Sequence, residues 1–269
     1  MLLPIIVVYN KEIKELPILN APFQLKTEIF IYDNSLFPQE VPIIENLTIY
    51  YTHDKNNSGV SRAYNQGVMI AKKIDKRAVV LLDQDTIFTK DFLTLYEEKY
   101  IEYGEQYIYS PIICNSKSTK IYSPNLLNNF IGKTQSFDEF QFREKYDLNK
   151  KSVINSGLMI PISLFEKIGG YKENIKLDFS DIYFIEKYKK IENKIILIDL
   201  YINHCISGDE GYNFAKEYTR YKYYCLGAKE LQNALNISIW HSPFRRLLRL
   251  TLKYKSFVFF KIFFTYFYK

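Results

Sequence analysis

The sequence predicts an α/β fold with a doubly wound, mostly parallel sheet and helices on both faces. Two observations lead to this prediction. Short β-rich apolar runs alternate with helical segments in the first half of the chain, and polar clusters follow three of these runs. Strands that alternate with helices are typical of parallel sheets, since each parallel connection needs a crossover. The 269 residues are enough for one large domain, or for one domain with an appendage.

The first half contains four predicted strands and one predicted helix. Its strands cover Leu3–Tyr9, Glu28–Tyr32, Leu47–Thr52 and Ala78–Leu82. The last of these is continuously apolar, as expected for a strand that is buried on both faces of a parallel sheet. Apolar residues recur at helical spacing over Ser58–Ile74, which predicts an amphipathic helix with Ser58 as a candidate cap.

The second half has a less regular pattern. Residues 114–150 are predicted to form a loop-rich insertion over the ligand crevice. A strand is expected over Ser152–Ile160, with Asn155, Ser156 and Gly157 inside it. The segment 167–171 ends a short helix in a glycine turn. A helix over Asp178–Lys190 and a strand over Lys194–Asn203 complete the prediction.

The charge of the chain is concentrated at its end. Residues 242–269 contain seven basic residues and no acid, whereas the formal net charge is +6, so the rest carries 6 − 7, or −1. A nucleic-acid binder spreads its basic residues over the working face, so this class is excluded. The three cysteines form no CxxC pair and no even set, which predicts a reducing compartment. No apolar run has the ~20 residues that a spanning helix needs.

Polar clusters follow three of the predicted strands, at Tyr9-Asn10, 33–35 and 83–85. In an open α/β sheet the ligand crevice lies beyond the carboxyl ends of the strands, so a nucleotide site is expected there. Asp83 and Asp85 offer oxygen ligands that suit Mg²⁺ or Mn²⁺ shared with substrate phosphates. An acidic pair that merely opens a loop is the alternative.

Three further groups have both a functional and a structural interpretation. Asn57, Gly59 and Asn65 flank a helix start that faces a ribose or diphosphate, or they form an ordinary glycine-bearing helix start. Asp178 and Asp181 share a helix face, where one of them is positioned to accept a proton from an acceptor hydroxyl and Asp178 is equally suited to cap the helix. His204 follows a strand and is a candidate for metal or phosphate contact, or is structural.

The ordered set of motifs resembles the inverting family 2 glycosyltransferases, in particular their rhamnosyltransferase-like branch. The set spans roughly residues 3–210, and each motif is weak alone. Tyr64 stands where many relatives carry Arg. The matching pieces are residues 6–10, 31–35, 57–65, 81–86, 155–157, 168–171, 177–181 and 203–204.

The resemblance implies a GT-A domain over 1–240, divided into a nucleotide-sugar half (1–113) and an acceptor half (114–240). It implies that Asp181 is the catalytic base, that Asp85 and His204 meet Mn²⁺ or Mg²⁺, and that Asp178 is an acceptor contact or structural. The donor would be a dTDP- or UDP-linked sugar, and the acceptor a glycan or a lipid-linked oligosaccharide. The residues implied to bind the nucleotide are Tyr9, Asp33, Asn57, Gly59, Asn65 and Asp83.

The basic-aromatic tail, residues 241–269, predicts a location at the inner face of the cell membrane. Arg246, Arg249 and Lys253 recur at helical spacing, which suits an amphipathic helix on anionic lipid. Packing on the domain or in a homodimer stays open as the alternative. Two other function classes also stay open: a non-catalytic partner with the same fold, and a sugar nucleotidyltransferase. The second lacks support because residues 1–30 contain no glycine-rich basic loop.

Overall fold

A central sheet forms the frame of the molecule. The computed structural model describes residues 1–20, 26–87, 92–115, 120–128, 133–137, 140–204 and 213–269. Within these ranges eleven strands form one sheet, with the main order β3-β2-β1-β4-β10-β5-β11-β8. The strands are β1 Leu2–Val8, β2 Thr27–Asp33, β3 Leu47–His53, β4 Ala78–Asp83, β5 Tyr109–Asn115, β6 Ile121–Asn128, β7 Lys133–Phe137, β8 Lys145–Asp147, β9 Lys151–Ser152, β10 Met159–Pro161 and β11 Lys194–His204.

Helices cover the sheet, and at the C-terminal end of the chain they pack on one another. In the same described ranges they are α1 Val60–Lys73, α2 Phe92–Tyr103, α3 Ile162–Ile168, α4 Ser180–Tyr188, α5 Phe214–Leu235, α6 His241–Tyr254 and α7 Val258–Phe263, which continues into a π-helical turn over Phe264–Tyr268. Among the residues that the structure describes, no helix is long and apolar enough to cross a membrane.

The predicted fold class is confirmed. β1 pairs in parallel with β2 and β4, and β2 pairs in parallel with β3. Each predicted strand of the first half lies within one residue of an observed strand at either end. In β4, Val79 and Leu81 face one apolar core, while Val80 and Leu82 face the other. Alternate side chains of a strand point to opposite faces, so the continuous apolar run reflects burial on both sides.

The second half differs from its prediction in two places. Residues 114–150 contain β6 and parts of an antiparallel extension, in which β6 pairs with β5, β7 and β9. The predicted strand over 152–160 is interrupted: β9 ends at Ser152, β10 begins at Met159, and a turn lies between them. Gly157 has a φ of 74°, and its N–H donates to the carbonyl of Leu81 at 2.7 Å. A positive φ suits glycine and ends extended pairing.

The glycine turn after α3 is confirmed. Gly169 has a φ of 92° in the left-handed region, and its N–H donates to the carbonyl of Phe165 at 3.1 Å. This is the usual way a glycine ends a helix. The turn sends the chain back over α1 towards the start of α4.

The tail packs against the rest of the domain, and the orientation predicted for its cations is wrong in part. Leu247 and Leu250 of α6, with Phe259 of α7, are fully buried in a third apolar core that also contains Ile175 and Phe179 beside α4. α6 is therefore a member of a helical layer with α5 and α7. Of the three cations that were predicted to face lipid, Arg246 turns inwards and lies against Glu217 of α5, whereas Lys253 approaches Glu217 but stays exposed, as Arg249 does.

Candidate active site

The polar clusters that follow β1, β2 and β4 meet at one edge of the sheet. The backbone N–H of Tyr9 donates to Oε1 of Gln84 at 2.8 Å, and the N–H of Asn10 donates to Oγ of Ser35 at 2.9 Å. Lys11 donates through Nζ to the carbonyl of Gln84 at 3.2 Å. The tyrosine ring is half exposed at 51%. This edge therefore presents an aromatic ring and a lysine beside the carboxyl end of β4.

Asp33, which the resemblance implied as a base contact, is fully buried. Its Oδ1 accepts from the N–H of Ser35 at 2.9 Å, and its Oδ2 accepts from the hydroxyl of Tyr51 at 2.9 Å and from Nε2 of Gln39 at 3.2 Å. Buried carboxylates need such partners, because an unpaired charge in the interior is costly. In this structure the carboxylate organises the loop after β2, and its proposed contact with a nucleotide stays a prediction.

Asp54, which no sequence motif indicated, shapes the loop that leads into α1. Its carboxylate accepts from the N–H groups of Asn56 and Ser58 at 3.0 and 2.9 Å and from the hydroxyl of Tyr32 at 2.9 Å. Burial acts to raise the pKa of Asp54, but these hydrogen bonds outweigh it and lower the pKa to about 2. The loop carrying Asn57 is thus held by a carboxylate that is ionised at neutral pH.

The start of α1 is covered by the segment before α4. Gly59 has a φ of 95°, and an added Cβ would lie 2.2 Å from the carbonyl oxygen of Lys176. The N–H of Val60 donates to that oxygen at 2.8 Å, and Oγ of Ser61 donates to the carbonyl of Ile175 at 2.5 Å. The predicted cap at Ser58 is wrong, because Gly59 occupies the cap position and the main chain of 175–176 takes the N-terminal donors.

Asn65 holds the turn after α3. Its Nδ2 donates to the carbonyl of Tyr171 at 2.9 Å and to Oε1 of Glu173 at 3.1 Å, while its Oδ1 accepts from the N–H of Tyr171 at 3.0 Å. All these contacts are structural. The role in nucleotide binding that the resemblance implied for Asn65 stays a prediction.

A cavity of about 250 Å³ opens where these segments converge. Its walls come from the first turns of α1, the end of β4, the turn before β10, the segment leading into α4, and α5. The described residues that line it are Val60, Tyr64, Asp83, Ile154, Asn155, Ser156, Leu177, Asp178, Phe179, Ser180, Asp181 and Arg220.

Asp181 is the titratable group best suited to proton transfer in this cavity. It lies in the first turn of α4, and its Oδ1 accepts from the N–H of Ile182 at 2.8 Å. Burial, with a smaller contribution from the nearby carboxylate of Asp178, raises the pKa of Asp181 to about 6. A general base is most effective when its pKa lies near the working pH. Asp181 is therefore ionised at neutral pH and a much better proton acceptor than an ordinary carboxylate.

Asp178 forms an ion pair across the cavity instead of capping α4. The cap position belongs to Phe179, which has a φ of 75° and makes no side-chain cap bond, so the capping interpretation of Asp178 is wrong. Oδ1 of Asp178 lies 3.7 Å from a guanidinium nitrogen of Arg220. Its Oδ2 is buried and makes no hydrogen bond within the described structure. A buried carboxylate oxygen of this kind can accept a hydrogen bond from a bound hydroxyl.

Tyr64 lies near two of the three carboxylates of the cavity, Asp83 and Asp181. Burial first, and then the carboxylates of Asp83 and Asp181, raise the pKa of Tyr64 well above its ordinary value. Both carboxylates therefore lie near one phenol, which stays protonated. The ring also lies 5.0 Å from that of Tyr171, whose hydroxyl donates to Oδ1 of Asn155 at 2.7 Å.

The end of β4 fits a hard divalent cation. Asp83 is partly buried and lines the cavity, and Asp85 is exposed two residues later. Both offer oxygen only, the donor that Mg²⁺ and Mn²⁺ prefer, with the remaining ligands supplied by phosphate oxygens. The described residues contain no preassembled group of three or more ligating side chains. β11 ends at His204, but the side chain of His204 lies outside the part of the chain that the structure describes.

Sequence reasoning missed several residues of the site. Arg220 and Lys11 carried no signal, because the groups that they approach are distant in sequence or are backbone carbonyls. Asn155 was noted inside a predicted strand and in the matching piece 155–157, but no role was predicted for it. Its Nδ2 donates to Oγ of Ser180 at 3.1 Å, at the first residue of α4. An Asp followed two and four residues later by Asn56 and Ser58 is an Asx-turn pattern, which could have indicated Asp54.

The sequence matches the family model described as Glycosyl transferase family 2 over residues 5–169. This range contains the second part of β1, all of β2, β3, α1 and β4, and the turn before β10. No curated protein matches the chain.

Several solved structures have similar folds, and one of them is named a mannosyltransferase. S. aureus TarS matches with a TM-score of 0.54 and 15% identity over 94% of this chain and 44% of its own length. GalNAc-T7, with UDP, GalNAc and Mn²⁺, matches with a TM-score of 0.56 and 13% identity over 94% and 58%. The mannosyltransferase PcManGT from Pyrobaculum calidifontis, with GDP-Man and Mn²⁺, matches with a TM-score of 0.54 and 14% identity over 93% of this chain and 68% of its own length. The chain thus spans less than two thirds of the first two proteins, and at these identities the likeness shows the fold.

Proposed function

The chain belongs to glycosyl transferase family 2, and from that premise we propose that it transfers a sugar from a nucleoside-diphosphate donor to a hydroxyl acceptor with inversion at the anomeric carbon. The observation that carries the proposal is the cavity in which a carboxyl group with a raised pKa, Asp181, lies near the acidic end of β4. A single base and a single reaction centre are what one direct displacement requires.

The donor side of the proposal uses the edge of the sheet. The nucleotide would lie over the ends of β1, β2 and β4, near Tyr9 and the loop that carries Asn57 and Gly59, with its diphosphate towards Asp83. S. aureus TarS has been crystallised with UDP-GlcNAc, and PcManGT with GDP-Man, which supports a nucleotide-linked donor. We propose a dTDP- or UDP-linked donor that carries rhamnose or a hexose.

The acceptor side uses the start of α4. Asp181 takes the proton of the acceptor hydroxyl as its oxygen forms a bond to the anomeric carbon, and the bond from that carbon to the diphosphate oxygen breaks. The displaced nucleoside diphosphate leaves with the electron pair of that bond. One attack opposite the leaving group inverts the configuration. Asp178 positions the acceptor through its buried Oδ2, while Arg220 balances the charge of Asp178.

A divalent cation fits the proposed site. Asp85 would hold it, with Asp83 beside it and with His204 as the further ligand that the resemblance implies. When bound, Mn²⁺ or Mg²⁺ neutralises charge on the diphosphate as it departs. Of the charged side chains lining the described cavity, three are carboxylates and one is a guanidinium, so an added cation is electrostatically favoured. GalNAc-T7 and PcManGT were both solved with Mn²⁺.

The acceptor that we propose is a glycan or a lipid-linked oligosaccharide, at the inner face of the cell membrane. The two rival classes make different predictions about the site. A non-catalytic partner would not need Asp181 for any measurable reaction. A nucleotidyltransferase would release pyrophosphate instead of a nucleoside diphosphate.

The experiment that tests the proposal separates binding from reaction. Thermal stability is first measured with UDP, dTDP, GDP and their sugars, with and without Mn²⁺, because a ligand that binds only the folded state raises the melting temperature. The donor identified in this way is then used to measure nucleoside-diphosphate release. We expect Asp181→Asn to keep the donor-induced stabilisation and to lose release by at least about a thousandfold.

Asp199→Asn serves as the matched control, since Asp199 is exposed on β11 outside the cavity. It should leave both readouts unchanged. Asp85→Ala should abolish the part of the stabilisation that depends on Mn²⁺. If a donor stabilises both proteins, and the wild type and Asp181→Asn release nucleoside diphosphate from it at the same rate, Asp181 is not the base. Absence of stabilisation by every nucleotide would support the non-catalytic partner.

A further inference from the structure

The seven cations of the tail fall into two structural groups. Arg246 and Lys253 approach the buried Glu217 of α5 at 3.6 and 3.5 Å, and the Arg246 guanidinium also lies over the ring of Tyr224 at 4.5 Å. Arg246 is largely covered by the helical layer, whereas Lys253 reaches Glu217 from an exposed position. The other five are exposed and have no acidic partner within the described structure: Arg245, Arg249, Lys255, Lys261 and Lys269.

Large apolar side chains share the same exposed helix faces. On α6, Leu248 and Leu252 are 42% and 78% exposed, at three and seven residues after Arg245. Positions i, i+3, i+4 and i+7 lie on one side of a helix, so these residues and Arg249 form one stripe. A second stripe begins just before α7 with Phe257, which is 79% exposed, and continues through Lys261, Phe264 and Tyr268.

We propose that these two stripes, named here the outer face of the tail, bind the surface of an anionic lipid bilayer. Apolar and aromatic side chains that alternate with cations are typical of surfaces that enter the headgroup region while their charges meet lipid phosphate. Soluble proteins seldom leave so many large apolar side chains exposed in one short segment. The inference is independent of the reaction, because none of these residues lines the catalytic cavity.

Charge decides between a bilayer and a second copy of the chain. In a two-fold dimer the same patch meets itself, so the three cations of the outer face would face three cations. Like charges brought together across an interface cost several kcal/mol. The tail from 242 to 269 contains no acid that could relieve this repulsion. An anionic bilayer supplies the complementary charge, whereas a copy of the same face does not.

The inference changes what the sequence alone predicted for the tail. The membrane contact is not one side of a free helix that uses Arg246, Arg249 and Lys253. It uses Arg245 and Arg249 together with Lys261 and aromatic residues of the following helix, while Arg246 and Lys253 pair with Glu217 of α5. Binding to lipid and packing on the domain are therefore served by opposite faces of the same helices.

The test measures sedimentation of the full chain with vesicles. The vesicles contain equal parts of phosphatidylglycerol and phosphatidylcholine, and pure phosphatidylcholine vesicles are the comparison. We expect the protein to sediment with the anionic vesicles only, and less at high salt. Arg245→Gln/Arg249→Gln/Lys261→Gln should weaken the binding by about a hundredfold, because each basic residue near an anionic surface contributes about fivefold.

The matched control removes three exposed lysines elsewhere, as Lys73→Gln/Lys167→Gln/Lys190→Gln. It changes the net charge by the same amount and should keep vesicle binding. A second outer-face variant, Leu252→Ser/Phe257→Ser, should also lose binding while its melting temperature stays that of the wild type. Equal losses in the control and the outer-face variants would overturn the proposal. Unchanged vesicle binding, with a shift from dimer to monomer by light scattering, would instead assign the face to a homotypic contact.

Discussion

Asp181 and Asp178 are three residues apart, yet their surroundings give them different tasks. Oδ1 of Asp178 lies 3.7 Å from a guanidinium nitrogen of Arg220, whereas desolvation raises the pKa of Asp181 to about 6. A carboxyl group whose pKa is raised towards the working pH is suited to accept a proton, whereas a carboxylate that faces a guanidinium is suited to bind and position. At the residue scale, the pair of environments is what distinguishes the proposed base from its neighbour.

The raised pKa predicts the pH dependence of the reaction. The base must be ionised, so kcat/KM should fall tenfold per pH unit below an apparent pKa of about 6. The Asp178 carboxylate contributes to raising the pKa of Asp181, so Asp178→Asn should move this limb to lower pH. The measurement is kcat/KM against pH for both proteins. A limb that stays in place in the variant would contradict the proposed coupling.

The same shift has a consequence for stability, which serves as a check without any substrate. The folded pKa of about 6 exceeds the ordinary 3.8, so the folded state binds the proton more tightly. The contribution of Asp181 to the stability of the folded protein is fully present below about pH 4 and is lost as the pH rises through about 6. The melting temperature of Asp181→Asn relative to the wild type should therefore rise between these two pH values. A difference that is constant with pH would contradict the assigned pKa.

At the element scale, the start of α1 and the segment before α4 form one unit. The main chain of residues 175–176 accepts hydrogen bonds from the first turn of α1, and Gly59 allows the two backbones to touch. The same segment leads directly into Asp178. A change at the helix start is therefore transmitted to the acidic end of the cavity by direct backbone contact.

Gly59→Ala should destabilise the protein and slow the reaction. The added Cβ would lie 2.2 Å from a backbone oxygen at a φ of 95°, so the strain and the displacement together should cost about 2–4 kcal/mol of unfolding free energy. Urea denaturation measures this loss, and nucleoside-diphosphate release measures the effect on the site.

Gly104→Ala is the control for this substitution. Gly104 also has a positive φ, 75°, but an added Cβ meets nothing within 4 Å. Its unfolding free energy should fall by only about 1 kcal/mol, the cost of a left-handed conformation for alanine, and its activity should be unchanged. If the two variants were equally stable, the close approach at Gly59 would not be what constrains α1.

At the scale of the whole molecule, the tail belongs to the body of the domain. Its inner side supplies Leu247, Leu250 and Phe259 to the third core, and Arg246 and Lys253 lie near the buried Glu217. A buried carboxylate that loses its cationic partners costs about 3–5 kcal/mol. The apolar surface of α5 would be exposed as well.

A chain that ends at residue 240 should therefore be unstable. We expect it to aggregate on expression or to melt at least about 10 °C below the full chain, since it loses both a buried ion pair and part of a core. Circular dichroism and size-exclusion chromatography measure the two outcomes. The full-length Leu252→Ser/Phe257→Ser variant is the control, because it changes only exposed residues. A monomeric 1–240 chain with an unchanged melting temperature would show that the tail is dispensable.

Local sequence patterns were enough to predict many of the strands and helices of the fold. The apolar run of β4 and the helical spacing of α1 give the element type directly, because burial on two faces and burial on one face leave different periodicities. The glycine turn at Gly169 follows from the φ that only glycine adopts without strain. Acidic residues after β4 were identifiable for a similar reason, since parallel strands bring their carboxyl ends to one edge.

Only the tertiary structure decided which partners these groups have. Asp178 with Arg220, Gly59 with Lys176, and Glu217 with Arg246 are separated by 29 to 117 positions in the chain. No periodicity records such pairs, because a helix or strand pattern reports only whether a side chain faces inwards. The tail's cations illustrate this limit. Spacing placed Arg246 and Arg249 on one helix, but packing against α5 left Arg246 partly buried and Arg249 exposed.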